Sequence, residues 1–363
     1  MLYDIHHSTA ATFESALDEI LAAVTDKTPH PLRVVIFGTP ASNEDYLKQR
    51  FKFEQACADA FSPCPLLAYV AHAPLGESLV AEVTYMEDEP AKIERHSDYI
   101  IVDDEYILSA GLHSDITLHT GEQADNIFSR MNEIFATEGV TPANIVRQWN
   151  YIENITDITP YGQNYQLFND SRSQFYNSCS WDNGYPAATG IGTQFGGVVV
   201  VFDVMRHSAE RSRAIDNPLQ ISAHSYSQQV LISPDEKQHK TTPKFERARH
   251  IEHLNGKQML YISGTAAIRG ENSCREDIIE QTVLTMENIN TLASAETMAK
   301  YGVVSPADLE YTMLRIYLKH DFNLDAVKQW FDENYPSVEK VYLLADICRE
   351  ELLIEIEGIA AEK

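Results

Sequence analysis

The chain repeats itself, and the repeat limits its fold more than any other feature. One stretch runs Tyr106-Ile-Leu-Ser-Ala-Gly111, a periodic segment opening at Gln123, the turn Gly139-Val-Thr-Pro-Ala143, and an apolar run from Ile145 to Ile152. Another runs Leu260-Tyr-Ile-Ser-Gly264, a periodic segment opening at Gln281, the turn Gly302-Val-Val-Ser-Pro-Ala307, and Leu309 to Leu318. The landmarks recur in the same order, offset by roughly 150 to 165 residues, too long a period for a solenoid and suited to a duplicated domain.

Each copy predicts a strand ending in a Gly turn, an amphipathic helix, a Pro-containing loop and a further strand. In the second copy Ile278, Ile279, Val283, Met286, Ile289 and Leu292 form a helical stripe. Met313–Leu318 then reads as a strand, Leu324–Phe331 as a helix and Val338–Ala345 as a strand. A last strand, Leu352–Ile359, alternates so that Glu355 and Glu357 share one face while Leu352, Ile354 and Ile356 take the other. The first copy closes with Phe168–Phe175, the segment Pro186-Ala-Ala-Thr-Gly-Ile-Gly192 and the run Gly197–Val204. Laying the closing strands over one another pairs Asp203 with Glu357 and Val201 with Glu355. Only the second copy carries an acid at that inner position, which points to the C-terminal half as the working one. The polar stretch after Arg206 sets the division, 1–206 as a degenerate N-terminal copy and 207–363 as the copy with the site. The predicted class is α+β, two tandem domains of mixed sheets with helices packed on one face, and two such sheets suit a partial barrel.

The charge balance narrows the partners. With 54 acidic against 28 basic residues the net charge is −26, which opposes binding to nucleic acid or to an anionic membrane surface. A small anionic substrate held in a local basic pocket stays compatible. The strongest apolar run, Gly196–Phe202, is far short of the roughly 20 residues that cross a bilayer. The start, Met1-Leu-Tyr-Asp-Ile-His-His7, has no signal-peptide pattern, and the 5 cysteines are scattered without a CxxC pair. These features read as a cytoplasmic chain with reduced thiols.

Most chemistry-bearing motifs are missing. Gly190-Ile-Gly192 with Gly196-Gly197 breaks the dinucleotide-loop spacing, and no phosphate loop, zinc-protease or serine-elbow motif occurs, so no cofactor and no metal is expected. His250 and His253 stand three residues apart beside a hairpin-like Leu254-Asn-Gly256, a weak metal signal. Glu355, flanked by Leu353, Ile354 and Ile356, is the sharper candidate: apolar surroundings raise a carboxyl toward general-acid range. The same alternation also fits a solvated glutamate on an edge strand. Cations gather as Lys244, Arg247, Arg249, Arg315, Lys340 and Arg349, placed either to bind carboxylates or to offset the surplus acid. Cys348, taken alone, reads as a small packed side chain.

With Ser263-Gly-Thr-Ala-Ala-Ile-Arg-Gly270 and Asp346-Ile-Cys-Arg-Glu-Glu-Leu-Leu-Ile-Glu-Ile-Glu-Gly358 in view, the chain resembles the chorismatases, enzymes similar to two fused RidA/YjgF-like domains. Gln148-Trp-Asn-Tyr-Ile-Glu-Asn154, Asn164-Tyr-Gln-Leu-Phe168 with Arg172, Asn217-Pro-Leu-Gln-Ile-Ser-Ala223 and Pro243-Lys-Phe-Glu-Arg-Ala248 add to the resemblance, which runs from about residue 145 to the end. It implies cofactor-free release of pyruvate from chorismate. It also implies that Glu355 protonates the enolpyruvyl methylene, that Arg172, Arg247 and Tyr226 anchor carboxylates, and that Ala266 lies near the ring. Cys348 is similar to the cysteine of members forming 3-hydroxybenzoate. Lys340 stands near where simpler RidA-like deaminases carry a carboxylate-binding arginine. Two features depart from the family pattern, Leu219 after Asn217-Pro218 and the polar insertion Ser233–Thr242. An enamine or imine deaminase and a non-catalytic small-molecule-binding protein are the alternatives, as a monomer or a small homo-oligomer.

Overall fold

Three stretches of chain share one order of main elements, strand, helix, strand, helix, strand, strand. The computed structural model describes residues 1–25, 30–86, 92–228, 240–274, 277–304 and 306–362, so most of the insertion Ser233–Thr242 lies outside the described residues. The first stretch holds β1 (Leu2–Ser8), α1 (Phe13–Thr25), β2 (Arg33–Gly38), α2 (Asn43–Ala60), β3 (Leu66–Val70), β4 (Ala73–Pro74) and β5 (Leu79–Tyr85). The second opens on β6 (Ile93–Arg95), β7 (Tyr99–Val102), β8 (Tyr106–Ser109), β9 (Leu112–His113), α3 (Thr120–Glu138) and β10 (Ile145–Glu153). It closes on the small hairpin β11 (Ile158–Thr159) and β12 (Gly162–Gln163), then α4 (Asn164–Tyr176), β13 (Ala187–Thr193) and β14 (Val198–Met205). The third opens on α5 (Ser208–Arg211), β15 (Ser212–Ile215), β16 (Ala248–Glu252), β17 (Gln258–Ala266), β18 (Ile268–Arg269) and β19 (Asn272–Ser273). It continues through α6 (Ile278–Ala293), α7 (Ala295–Lys300), β20 (Glu310–Leu318), α8 (Leu324–Asn334), β21 (Glu339–Leu344) and β22 (Ile354–Ala361).

The three sheets share a pairing rule. β2, β10 and β20 each pair in parallel with the strand after the next long helix, β3, β13 and β21, which needs a crossover of that kind. On the other side they pair antiparallel with the closing strands β5, β14 and β22. The sheet orders are β1-β5-β2-β3, β13-β10-β14-β8-β7-β6 with β9 on β14, and β15-β16-β17-β22-β20-β21-β4. Local signals place the helix ends: the Asp277 carboxylate accepts from the first amides of α6, and α3 stops at Gly139, whose φ of 65° suits glycine. The expected stripe of α6 is displaced. Val283 is exposed, and Gln281, Thr282, Thr285 and Asn288 join Met286, Ile289 and Leu292 on the buried face.

Each sheet carries helices on one face and meets the other two sheets with its opposite face. Val34 and Ile36 of β2 pack under α1 and α2, while Val35 and Phe37 enter a central core shared with Tyr151, Tyr261 and Tyr317 of the other sheets. Strands covered on both faces have no solvated side, which is why β14, Val-Val-Val-Val-Phe-Asp-Val-Met, is buried throughout. The partial barrel expected from the repeat does not form. Backbone ties between the second and third ladders are confined to isolated bridges such as Ala187 with Glu246 and Gly192 with Asp346. β22 is a central strand, so Glu355 and Glu357 face the middle of the molecule and not solvent.

Six buried charges close a circle there. Arg33 of the first sheet reaches Asp203 of the second at 2.6 Å, Arg147 of the second bonds Glu357 of the third, and Arg315 of the third reaches Glu82 of the first at 2.5 Å. Burying a charge is tolerated when it is paired and hydrogen-bonded, and each of these is. Among the described residues no helix is long and apolar enough to cross a membrane.

Candidate active site

A cleft opens where the second and third sheets meet. Space not filled by protein, its open mouth included, amounts to about 780 Å³ there. One wall comes from the start of α4 and from β13, with Gln163, Tyr165, Gln166, Asn169, Ala188 and Gly190. The other comes from Tyr226, Pro243, Phe245, Arg247, from Gly264, Ala266 and Ile268, and from Cys348, Arg349, Leu352 and Glu355. The walls thus lie on both sides of residue 206.

Glu355 projects from the inner face of β22, opposite Ala266 of β17 and Tyr317 of β20 in the ladder, and is 6% exposed. Burial pushes its carboxyl up to about 8, the charge of Glu357 adds to that, and Arg247 and Arg147 pull the other way. At neutral pH it is mainly a neutral acid. Glu357, two residues on, is held the opposite way. Burial works against its charge, but Arg315 and Arg147, with hydroxyls of Thr189 and Tyr317 donating, keep it below the usual carboxylate range. Two neighbouring carboxyls on one strand face are driven apart, one to stay protonated and one to stay ionised.

In the same cleft Tyr226 lies close to two guanidinium groups, 5.6 Å from that of Arg247 and 5.2 Å from that of Arg349. Arg247 donates to the Tyr226 hydroxyl at 2.6 Å and to the Ile221 carbonyl at 3.0 Å, while its buried Nε makes no hydrogen bond among the described residues and has Asp216 Oδ1 at 4.0 Å. Arg349 is fixed from behind by the Glu271 carbonyl at 2.8 Å and Ser273 Oγ at 3.0 Å. On a chain of net charge −26, two arginines beside one aromatic ring make a locally cationic patch, of the chemistry that pairs with carboxylates. The thiol of Cys348 lines the cleft; burial, followed by the charge of Glu355, pushes it up to about 12, so it stays a neutral thiol.

Five of the seven residues singled out in the sequence, Glu355, Cys348, Tyr226, Arg247 and Ala266, thus line one cleft. Arg172 does not. It lies buried behind the wall, stacked on Phe168 and donating to Asn169 Oδ1 at 2.5 Å, so Asn169 faces the cleft in its place. Lys340 is elsewhere, on β21, donating to the Tyr335 carbonyl at 2.8 Å with Asp332 at 3.8 Å. Arg315 is committed to the central circle and Arg249 to backbone carbonyls of 183–185. His250 bonds Gln258 and His253 bonds Tyr106, and among the described residues no group of three or more His, Cys, Asp and Glu is placed to hold a metal. Arg349 stands in the sequence only among the clustered cations, and Tyr165, Asn169 and Gly264 are not marked there as site residues. Adjacency to Cys348 is the signal for Arg349; for the others no spacing pattern marks which helix side meets a strand from another sheet.

Residues 83–203 match the family model described as chorismatase FkbO/Hyg5-like, N-terminal. A 3-hydroxybenzoate synthase of Streptomyces hygroscopicus is 28% identical over 297 residues, covering 79% of this chain and 83% of the relative. A chorismatase of the same organism is 30% identical over 253 residues, covering 68% and 70%. A crystal structure of a chorismatase superposes with a TM-score of 0.70 at 21% identity, covering 99% of this chain and 98% of that one, which shows a shared fold.

Proposed function

The chain belongs to the chorismatase family, and from that premise we propose that it releases pyruvate from chorismate, with Glu355 as general acid and 3-hydroxybenzoate as the ring product. The observation that carries the reading is a neutral, buried carboxyl facing a cleft that Arg247 and Arg349 also line. Chorismate brings two carboxylates, which suit those arginines, and an enolpyruvyl ether whose terminal methylene must take up a proton.

Glu355 gives its proton to the methylene carbon and becomes a carboxylate, and the ether oxygen shares its lone pair with the resulting oxocarbenium centre. Attack there by the neighbouring ring hydroxyl, which gives up its proton, closes a cyclic ketal. Loss of the ring C–H proton beside the ether, with cleavage of that hydroxyl's C–O bond, makes the ring aromatic. The opened hemiketal breaks its bond to the original ether oxygen, leaving 3-hydroxybenzoate and pyruvate. Attack by water instead gives a hemiketal that breaks at the same ether oxygen and leaves the diol. The carboxylate then takes up the proton that the ring or the water gives off, and the acid is restored. Chorismate has the same atoms as 3-hydroxybenzoate plus pyruvate, so that outcome consumes no net water, whereas a dihydroxycyclohexadiene product retains one. The neutral Cys348 and the small Ala266 flank the acid, and similarity to the 3-hydroxybenzoate synthase supports the aromatic product. The placement of Lys340 away from the cleft leaves the deaminase alternative without its carboxylate anchor.

Purified chain incubated with chorismate is expected to release pyruvate, with the ring product co-eluting with 3-hydroxybenzoate. Absence of pyruvate above background would refute the reaction, and full turnover by Glu355→Gln would refute its mechanism.

A further inference from the structure

We propose that Thr189 is a positioning residue for proton transfer from Glu355: its hydroxyl pins the bulge of β17 whose bare glycine seats the Glu355 carboxyl. The proposal rests on Glu355 being the general acid. The β17–β22 ladder slips between Ile262, opposite Gly358, and Thr265, opposite Ile356, so Ser263 and Gly264 together oppose Glu357. The Glu355 carboxyl occupies the space a side chain would take at Gly264. A Cβ there would fall 2.0 Å from Glu355 Oε1 and 3.1 Å from Thr189 Cγ2.

A glycine in a broken ladder needs another acceptor for its amide, and Thr189 provides it: Gly264 N–H donates to Thr189 Oγ1 at 3.0 Å. The preceding residue is tied to the same strand, since Ala188 N–H donates to Ser263 Oγ at 2.9 Å. β13, which belongs to the second sheet, therefore holds the bulge of the third at two successive positions. The Thr189 hydroxyl also accepts from Arg147 Nη2 at 2.8 Å and donates to the ionised Glu357. One hydrogen and two lone pairs are all in use, a complete set for a hydroxyl. Without it the Gly264 amide has no acceptor and the seat of Glu355 loosens, while Arg247 and Arg349 keep their own supports.

The charged and titratable groups around Glu355 are Glu357 on its own strand, Arg147 on β10 and Arg247 ahead of β16, all charged, with the neutral Tyr165 on α4 and Cys348 ahead of β22. A carboxyl freed to turn toward water titrates nearer the ordinary carboxylate range.

The test compares Thr189→Val, which keeps the shape, with Thr189→Ser, which keeps the hydroxyl, in chorismate turnover across pH. The valine variant is expected to lose roughly tenfold or more in kcat with KM within about twofold, and its alkaline limb of kcat to move to lower pH, with serine restoring both. Wild-type kcat and an unmoved limb in the valine variant, beside an inactive Glu355→Gln, would overturn the role of Thr189 alone. Full activity of Glu355→Gln would overturn the acid assignment and this proposal with it. Loss of kcat with an unmoved limb would reduce Thr189 to a structural part. Should the valine variant not fold, Thr189→Ala carries the same readouts; failure of both to fold while serine folds would likewise make the hydroxyl structural.

Discussion

Glu355 pays for its reactivity with stability, because a carboxyl whose acid form is favoured by burial opposes folding wherever it must ionise. Its raised value, about 8, means the folded chain suffers no penalty below the ordinary carboxylate range and an increasing one as pH rises toward 8. Glu355→Gln is therefore expected to abolish turnover, by on the order of 10²-fold or more, and also to stabilise the fold. The stabilisation should be near zero at pH 4 and reach about 2–4 kcal/mol at pH 8; an equal melting shift at both pH values would contradict it. The wild-type enzyme should lose activity as pH rises through about 8, since the acid must start protonated. In the same cleft, Arg349→Ala is expected to raise KM for chorismate roughly tenfold or more, with Arg349→Lys recovering part, because an ammonium keeps the charge without the planar fork. An unchanged KM would remove Arg349 from substrate binding.

At the scale of elements, the cleft depends on one bulge and one strand. Gly264→Ala places a methyl where the Glu355 carboxyl sits, and the expected outcome is a folded protein with turnover lost, checked by circular dichroism beside pyruvate release. An active Gly264→Ala would show that the carboxyl's seat is not needed. Ser263–Gly264 was visible in the sequence as the end of a strand, but a bulge appears only when the partner register is known. β13 is a similar case. Its Gly190 and Gly192 read in the sequence only as failing the dinucleotide-loop spacing, yet they leave room for neighbours: Tyr165 packs against Gly190, while Ile155 and Asp346 close on Gly192. By contrast β20, α8 and β21 fall close to where periodicity placed them, since each has a strong apolar pattern of its own.

The whole molecule is held at its centre by charge as well as by apolar packing. Each sheet offers an arginine to a carboxylate of the next, and the circle includes the first sheet, whose copy of the shared element order has no matching landmarks in the sequence. Asp203→Asn would leave Arg33, 1% exposed, without its counter-charge, at a cost of about 3–5 kcal/mol. Chemical denaturation is the measurement. The double variant Arg33→Met with Asp203→Leu should recover most of the loss, and no recovery would mean the pair does more than neutralise itself. Glu357 belongs to this circle and to the site at once, which couples the acid's environment to the meeting of the sheets.

The sequence by itself determined the repeat, the α+β class, the pairing of Asp203 with Glu357 across copies, and Glu355 as the acid that breaks the symmetry. Those are properties of order and spacing along one chain. Which face of β22 meets water, which arginines turn into the cleft, and which only hold other residues were decided by the tertiary structure alone. Arg172 and Arg247 carry the same charge, and Glu355 and Glu357 the same carboxyl. What separates the members of each pair is the element that packs against them, and that element arrives from a distant part of the chain.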